Sequence, residues 1–153
     1  MKKIDKIIVP IDFSETSDLL MEYAVTFVEK FGAKLYIIHI VEDFSRYSYI
    51  AVPHVSLDRV MEEILKVAEM ELKDYCSKKL EGKTDYELIL SRGDAYKEIL
   101  RFSEEKDADL ILIGSHGQSG LERVLFGSTA ERVIRNAKCP IMMINIYHMS
   151  DVG

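Results

Sequence analysis

Residues 109–129 read Asp-Leu-Ile-Leu-Ile-Gly-Ser-His-Gly-Gln-Ser-Gly-Leu-Glu-Arg-Val-Leu-Phe-Gly-Ser-Thr. The opening Asp109 to Ile113 is too short for a helix and apolar enough for a strand buried on both faces. The chain then turns at Gly114 and Gly117, nine residues intervene, and Gly127-Ser128 opens a helix. Glycines in this arrangement are expected to take positive φ and bring the backbone against a ligand with no Cβ in the way. Ser128 and the N–H groups behind it offer donors and the positive end of a helix dipole to an anion. A strand, a glycine loop and a helix in this order form a phosphate cradle, and the ligand it suits is a nucleotide.

The rest of the chain builds a scaffold around that loop. Ile4 to Ile11 is a first buried strand, ended by Pro10 and Asp12; Ser14 offers an N-cap, and Leu19, Leu20, Tyr23, Ala24, Phe27, Val28 and Phe31 recur at helical spacing as far as Gly32. Lys34 to Val41 is the second strand. Residues 42–55 keep no period and contain Tyr47, Tyr49 and Pro53, which marks a long loop of the kind that tends to be functional. From Ser56, the residues Leu57, Val60, Met61, Ile64, Leu65, Ala68, Leu72, Tyr75 and Cys76 predict a long amphipathic helix running toward Gly82. Tyr86 to Leu90 is the third strand, Asp94 to about Lys106 the third helix, Ser128 to about Ala137 the fourth helix, and Pro140 to Ile146 the fifth strand. Strands alternating with helices predict an α/β fold: a single doubly wound five-stranded parallel sheet in the order 3-2-1-4-5, with helices on both faces. Such sheets bind ligands beyond the carboxyl ends of their strands where the strand order reverses, here between the first and fourth. The expected unit covers residues 1–147, followed by a short C-terminal tail, 148–153.

The 153 residues are enough to bury roughly 70% of the unfolded chain's surface. With 26 acidic against 20 basic residues the net charge is −6, which argues against a nucleic-acid partner. There is no apolar stretch of membrane-spanning length, and Asp5 and Lys6 interrupt the apolar run behind Met1-Lys2-Lys3, so neither a membrane nor a signal peptide is expected and the reading is cytoplasmic. Cys76 and Cys139 stand far apart, with neither zinc-ligand nor redox spacing, and are expected to be ordinary half-buried thiols.

Neither a Walker A motif nor a GxGxxG fingerprint after the first strand is present. Gly114-x-x-Gly117, nine residues and Gly127-Ser128, together with the opening Ile-Ile-Val-Pro-Ile-Asp-Phe-Ser and the strand ending His39-Ile40-Val41, resemble the universal stress protein family, in particular its ATP-binding branch. The likeness runs over essentially the whole chain. It implies ATP as ligand, with Pro10 and Ile40 bordering adenine and Asp12 facing the ribose or a phosphate-bound metal ion. Gly114, Gly117, Gly127, Ser128 and Thr129 would hold the phosphates, with Ile113 at the strand end among the contacting residues. It also implies a homodimer through strand 141–146, which is apolar on both faces at a sheet edge.

The family often places Arg or Lys after the His-Gly pair, whereas here Gln118 follows, and Arg123, the basic residue of the loop, is neighboured by Glu122. Triphosphate charge would then fall to backbone N–H groups, the helix dipole and Mg or Mn.

Each residue also has a plainer reading. The glycines can serve a turn and close packing, Asp12 can cap a helix, and His39 can be a satisfied core histidine. His116 reads as an orienting residue rather than a general base, since the motif gives it no carboxylate, and Met142-Met143 reads as core or interface filler. The functional expectation is a nucleotide-dependent regulator or switch, at most a slow ATPase. The alternatives are an enzyme of the same fold, a nucleotide hydrolase or adenylyl-transferring relative, and, last, a flavodoxin-like carrier, which would want its phosphate site just after the first strand.

Overall fold

A computed structural model describes residues 3–43, 56–82, 85–116 and 127–145. The elements run β1 (Lys6–Ile11), α1 (Glu15–Phe31), β2 (Lys34–Val41), α2 (Leu57–Lys79), β3 (Tyr86–Arg92), α3 (Ala95–Glu105), β4 (Leu110–Gly114), α4 (Ser128–Asn136) and β5 (Ile141–Ile144). The sheet is parallel throughout, in the order β3-β2-β1-β4-β5. That is the doubly wound order expected from the alternation of strands and helices.

Burial on both faces explains the unbroken aliphatic strands. Along β1, Ile7, Val9 and Ile11 enter the core beneath α1 and α2, while Ile8 enters the core beneath α3 and α4. Side chains that alternate across a strand reach both layers only if successive residues are apolar. Gly32 ends α1 as expected, at φ 66° with its N–H on the Val28 carbonyl at 2.8 Å. The start of β1 is tied to the start of β4 by Asp109, whose Oδ2 accepts from the backbone N–H groups of Asp5 and Lys6 at 3.0 Å each. Cys76 is fully buried, deeper than expected, and desolvation pushes its thiol up to about 12, so it stays protonated and inert.

Candidate functional site

From β1 the chain runs outward through α1 to β2 and α2 to β3, then returns through α3 to β4 on the other side of β1. The two neighbouring crossovers therefore lie on opposite faces, and a gap opens beyond the strand ends. A cleft of about 1100 Å³ occupies this place. Pro10, Asp12, Ile40, Ile113, Gly114, Gly127, Ser128 and Thr129 all line it. Gly117, the remaining candidate, lies outside the described residues, as do Gln118, Glu122, Arg123, Tyr47 and Tyr49.

One wall is the amino end of α4. Gly127 is its N-cap, in extended conformation at φ −65° and ψ 154°, with no side-chain cap hydrogen bond. The first intrahelical bond of the element runs from the Glu131 N–H to the Gly127 carbonyl at 3.0 Å. The amides of Ser128, Thr129 and Ala130 therefore precede any i−4 carbonyl of their own helix and stand at its positive dipole end, on the cleft.

The glycines earn their places differently from expectation. Among the described residues, Gly32, Gly82 and Gly93 take positive φ, and neither Gly114 nor Gly127 does. At Gly114 the constraint is close packing: an added Cβ would lie 2.2 Å from Cγ2 of Thr16, in the first turn of α1. At Gly127 a Cβ would lie 3.3 Å from the Ser115 carbonyl oxygen, which accepts the Gly127 N–H at 2.7 Å. Both glycines draw helix and strand together at the switch point, which narrows the floor of the cleft.

The opposite wall is the turn from β1 into α1. Asp12 Oδ1 accepts from the Ser14 N–H at 3.1 Å, the Ser14 hydroxyl at 2.5 Å and the Ser17 hydroxyl at 2.9 Å, while Ser17 Oγ accepts the Asp12 N–H at 2.9 Å. Asp12 thus organises the start of α1, and Ser14 is the N-cap by backbone position without a side-chain cap bond. Phe13 between them sits at φ 61°, a region a bulky side chain occupies only under constraint. Its ring lies 4.4 Å from that of His39 and edge-on to Tyr75 at 5.4 Å. The Tyr75 hydroxyl donates to Asp18 at 2.7 Å, and Lys79 meets the same carboxylate at 2.9 Å. The Lys79 and Tyr75 bonds hold Asp18 below the usual carboxylate range, while burial, then Asp18, pushes the Tyr75 phenol up.

His39 carries a hydrogen bond between Nδ1 and the Ile11 carbonyl at 3.0 Å. His116 is buried, with Nδ1 3.0 Å from Ser115 Oγ. No group of three or more His, Cys, Asp or Glu side chains placed to hold a metal occurs among the described residues. Asp12 is a hard oxygen donor on the cleft, so the described residues would fit a divalent ion carried in on a ligand's phosphates.

Helix α2 supplies an element the sequence pattern concealed. Val60, Ile64 and Val67 line the cleft and are 44%, 38% and 61% exposed, whereas Met61, Ala68, Leu72 and Cys76 are buried. The apolar stripe is too wide for one core face, and its surplus forms an apolar wall of the cleft. The excess width was the available signal.

The universal stress protein family matches residues 3–145. Universal stress protein MJ0531 of Methanocaldococcus jannaschii is 36% identical over 142 residues, covering 91% of this chain and 81% of its own length. Universal stress protein YxiE of Bacillus subtilis is 30% identical over 145 residues, covering 92% and 98%. Among solved structures, UspA from Lactobacillus plantarum superposes with a TM-score of 0.79 at 25% identity, over 94% of this chain and 99% of that one. Two more distant structures share the fold. A universal stress protein from Archaeoglobus fulgidus in complex with dAMP has a TM-score of 0.63 at 22% identity, over 92% and 97% of the chains. A universal stress protein in complex with cAMP has a TM-score of 0.62 at 22% identity, over 94% and 98%.

Proposed function

The chain belongs to the universal stress protein family, and from that membership we propose that it is an ATP-binding member, a nucleotide-dependent switch with at most slow hydrolysis. The observation that carries the reading is the amino end of α4, with a glycine at its N-cap, facing the cleft at the β1/β4 switch point. Triphosphate oxygens would take the amides of Ser128 and Thr129, with Mg or Mn shared between phosphates and Asp12. Pro10, Ile40 and Ile113 would border the base and ribose. Adenine nucleotides bound by two structural neighbours support the choice of base.

Calorimetric titration with ATP, AMP and cAMP, with and without Mg, tests this, alongside mass spectrometry of whatever the purified protein releases on denaturation. Tightest binding by ATP with Mg is expected; binding by none of the three would overturn the reading. Hydrolysis should be far slower than the ~1–100 s⁻¹ of kinases, because His116 Nδ1 is engaged with Ser115. Steady-state phosphate release with His116→Ala as comparison would expose an enzyme if turnover were fast and lost in the variant.

The assembly proposed for this switch is a cytoplasmic homodimer. Strand β5 is a sheet edge, and Met142 and Met143 pack toward opposite faces, only half-buried. Pairing of two such edges would satisfy their open backbone groups. Sedimentation should give a dimer at micromolar concentration, shifted toward monomer by Met143→Lys.

A further inference from the structure

We infer that His39 is a positioning residue for the ligand: it fixes the β1–α1 turn so that Asp12 is presented to the cleft. The inference rests on the nucleotide reading above. A carbonyl only accepts, so the 3.0 Å contact between His39 Nδ1 and the Ile11 oxygen assigns the ring proton to Nδ1. This bond holds the backbone immediately before Asp12. On the other side of Asp12, Phe13 is kept at φ 61° with its ring 4.4 Å from the His39 ring and 5.4 Å from Tyr75. Backbone in that region persists only where its surroundings over-determine it, and such strain gathers at ligand sites. One imidazole therefore does two things: its Nδ1–H pins the residue before Asp12, and its face pins the residue after.

Asp12 is also held from within by Ser14 and Ser17, and those bonds orient the carboxylate relative to α1. They leave open how the whole turn sits relative to the sheet. His39, on the neighbouring strand, is the group that references the turn to β2, whose Ile40 lines the same cleft. The backbone ladder brings β1 and β2 into register as far as Ile11 and His39, and the His39 side chain carries that tie to the carbonyl immediately before Asp12.

The test is ATP titration of the wild type, His39→Leu and His39→Asn, each also in an Asp12→Asn background, with urea unfolding of every variant. Leu fills the space without a donor; Asn places its Nδ2 near the former Nδ1 and donates to the same carbonyl. Leu should weaken ATP binding by ~10-fold or more and Asn should restore it to within ~3-fold. Because His39 acts through Asp12, His39→Leu should add little once Asp12 is Asn. Unchanged binding in His39→Leu, no rescue by Asn, or additive losses in the double variant would overturn the assignment. If the wild type itself binds no nucleotide, the proposed function fails and this inference falls with it. Nitrogen-15 NMR of the wild-type ring gives a reading independent of variant folding: a neutral ring with the proton on Nε2 would also overturn it.

Discussion

Gly114→Ala should lower stability far more than a single methyl ordinarily does. The new Cβ would begin 2.2 Å from Cγ2 of Thr16 and 3.2 Å from the His116 carbonyl oxygen. Thr16 is only 4% exposed and β-branched, so it has few other rotamers to retreat into. Relief must come from moving α1 away from β4. Overpacking of this kind costs about 1–3 kcal/mol, and the depth of this overlap places the expectation at the upper end. For a chain of this size that corresponds to a fall in Tm of roughly 6–12 °C. Thr16→Ser removes the offending methyl and should recover much of the loss when combined with Gly114→Ala. Thermal and urea unfolding of the two single variants and the double variant check this. A Gly114→Ala protein as stable as the wild type would mean that α1 and β4 are not in such close contact.

Ser128→Asp should move stability and binding in opposite directions. Ser128 is the exposed first residue of α4, in a helix whose N-cap provides no side-chain bond. A carboxylate there meets the dipole favourably and should stabilise the fold by about 0.3–1 kcal/mol. The same charge would stand where phosphate is proposed to bind. At ~5 Å and an effective dielectric near 20, one pair of like charges costs about 3 kcal/mol before screening. Allowing for salt, ATP affinity should fall by ~30- to 100-fold, and the deficit should shrink as ionic strength rises. Ser128→Asn, isosteric with Asp and uncharged, should bind nearly as the wild type does. Calorimetry at two salt concentrations with urea unfolding reads both quantities. An Asp variant that binds ATP normally would remove α4 from the site.

The architecture was legible because it rests on local signals. Lys34–Val41 forms a strand with the expected bounds, Gly32 caps α1 in the left-handed region, and the strand order follows from the alternation of elements. Of the candidate site, the sequence showed which residues come together, since the eight described ones line one cleft. The reasons for some of them were not legible. Gly114 is glycine because of Thr16, nearly a hundred positions away, and no periodicity reports a contact between one residue and a distant methyl group. The wall formed by Val60, Ile64 and Val67 was hidden because helical spacing gives apolarity without saying which layer a side chain meets. His39 showed itself as a satisfied histidine, but its partner, Ile11, is set by the register of β1 against β2.

That β1 lies between β2 and β4 also fixes when the cleft comes into existence. Ile11 faces His39 early in the chain, whereas Ile7 waits for Leu110. Closing that long loop is entropically costly and makes the β1–β4 pairing a late event in folding. A chain emerging from the ribosome would carry the β1–α1 turn and His39 long before β4 and α4 arrive to oppose them. The proposed nucleotide would need both walls of the cleft, so it would stabilise the finished fold and favour complete chains over partly made ones.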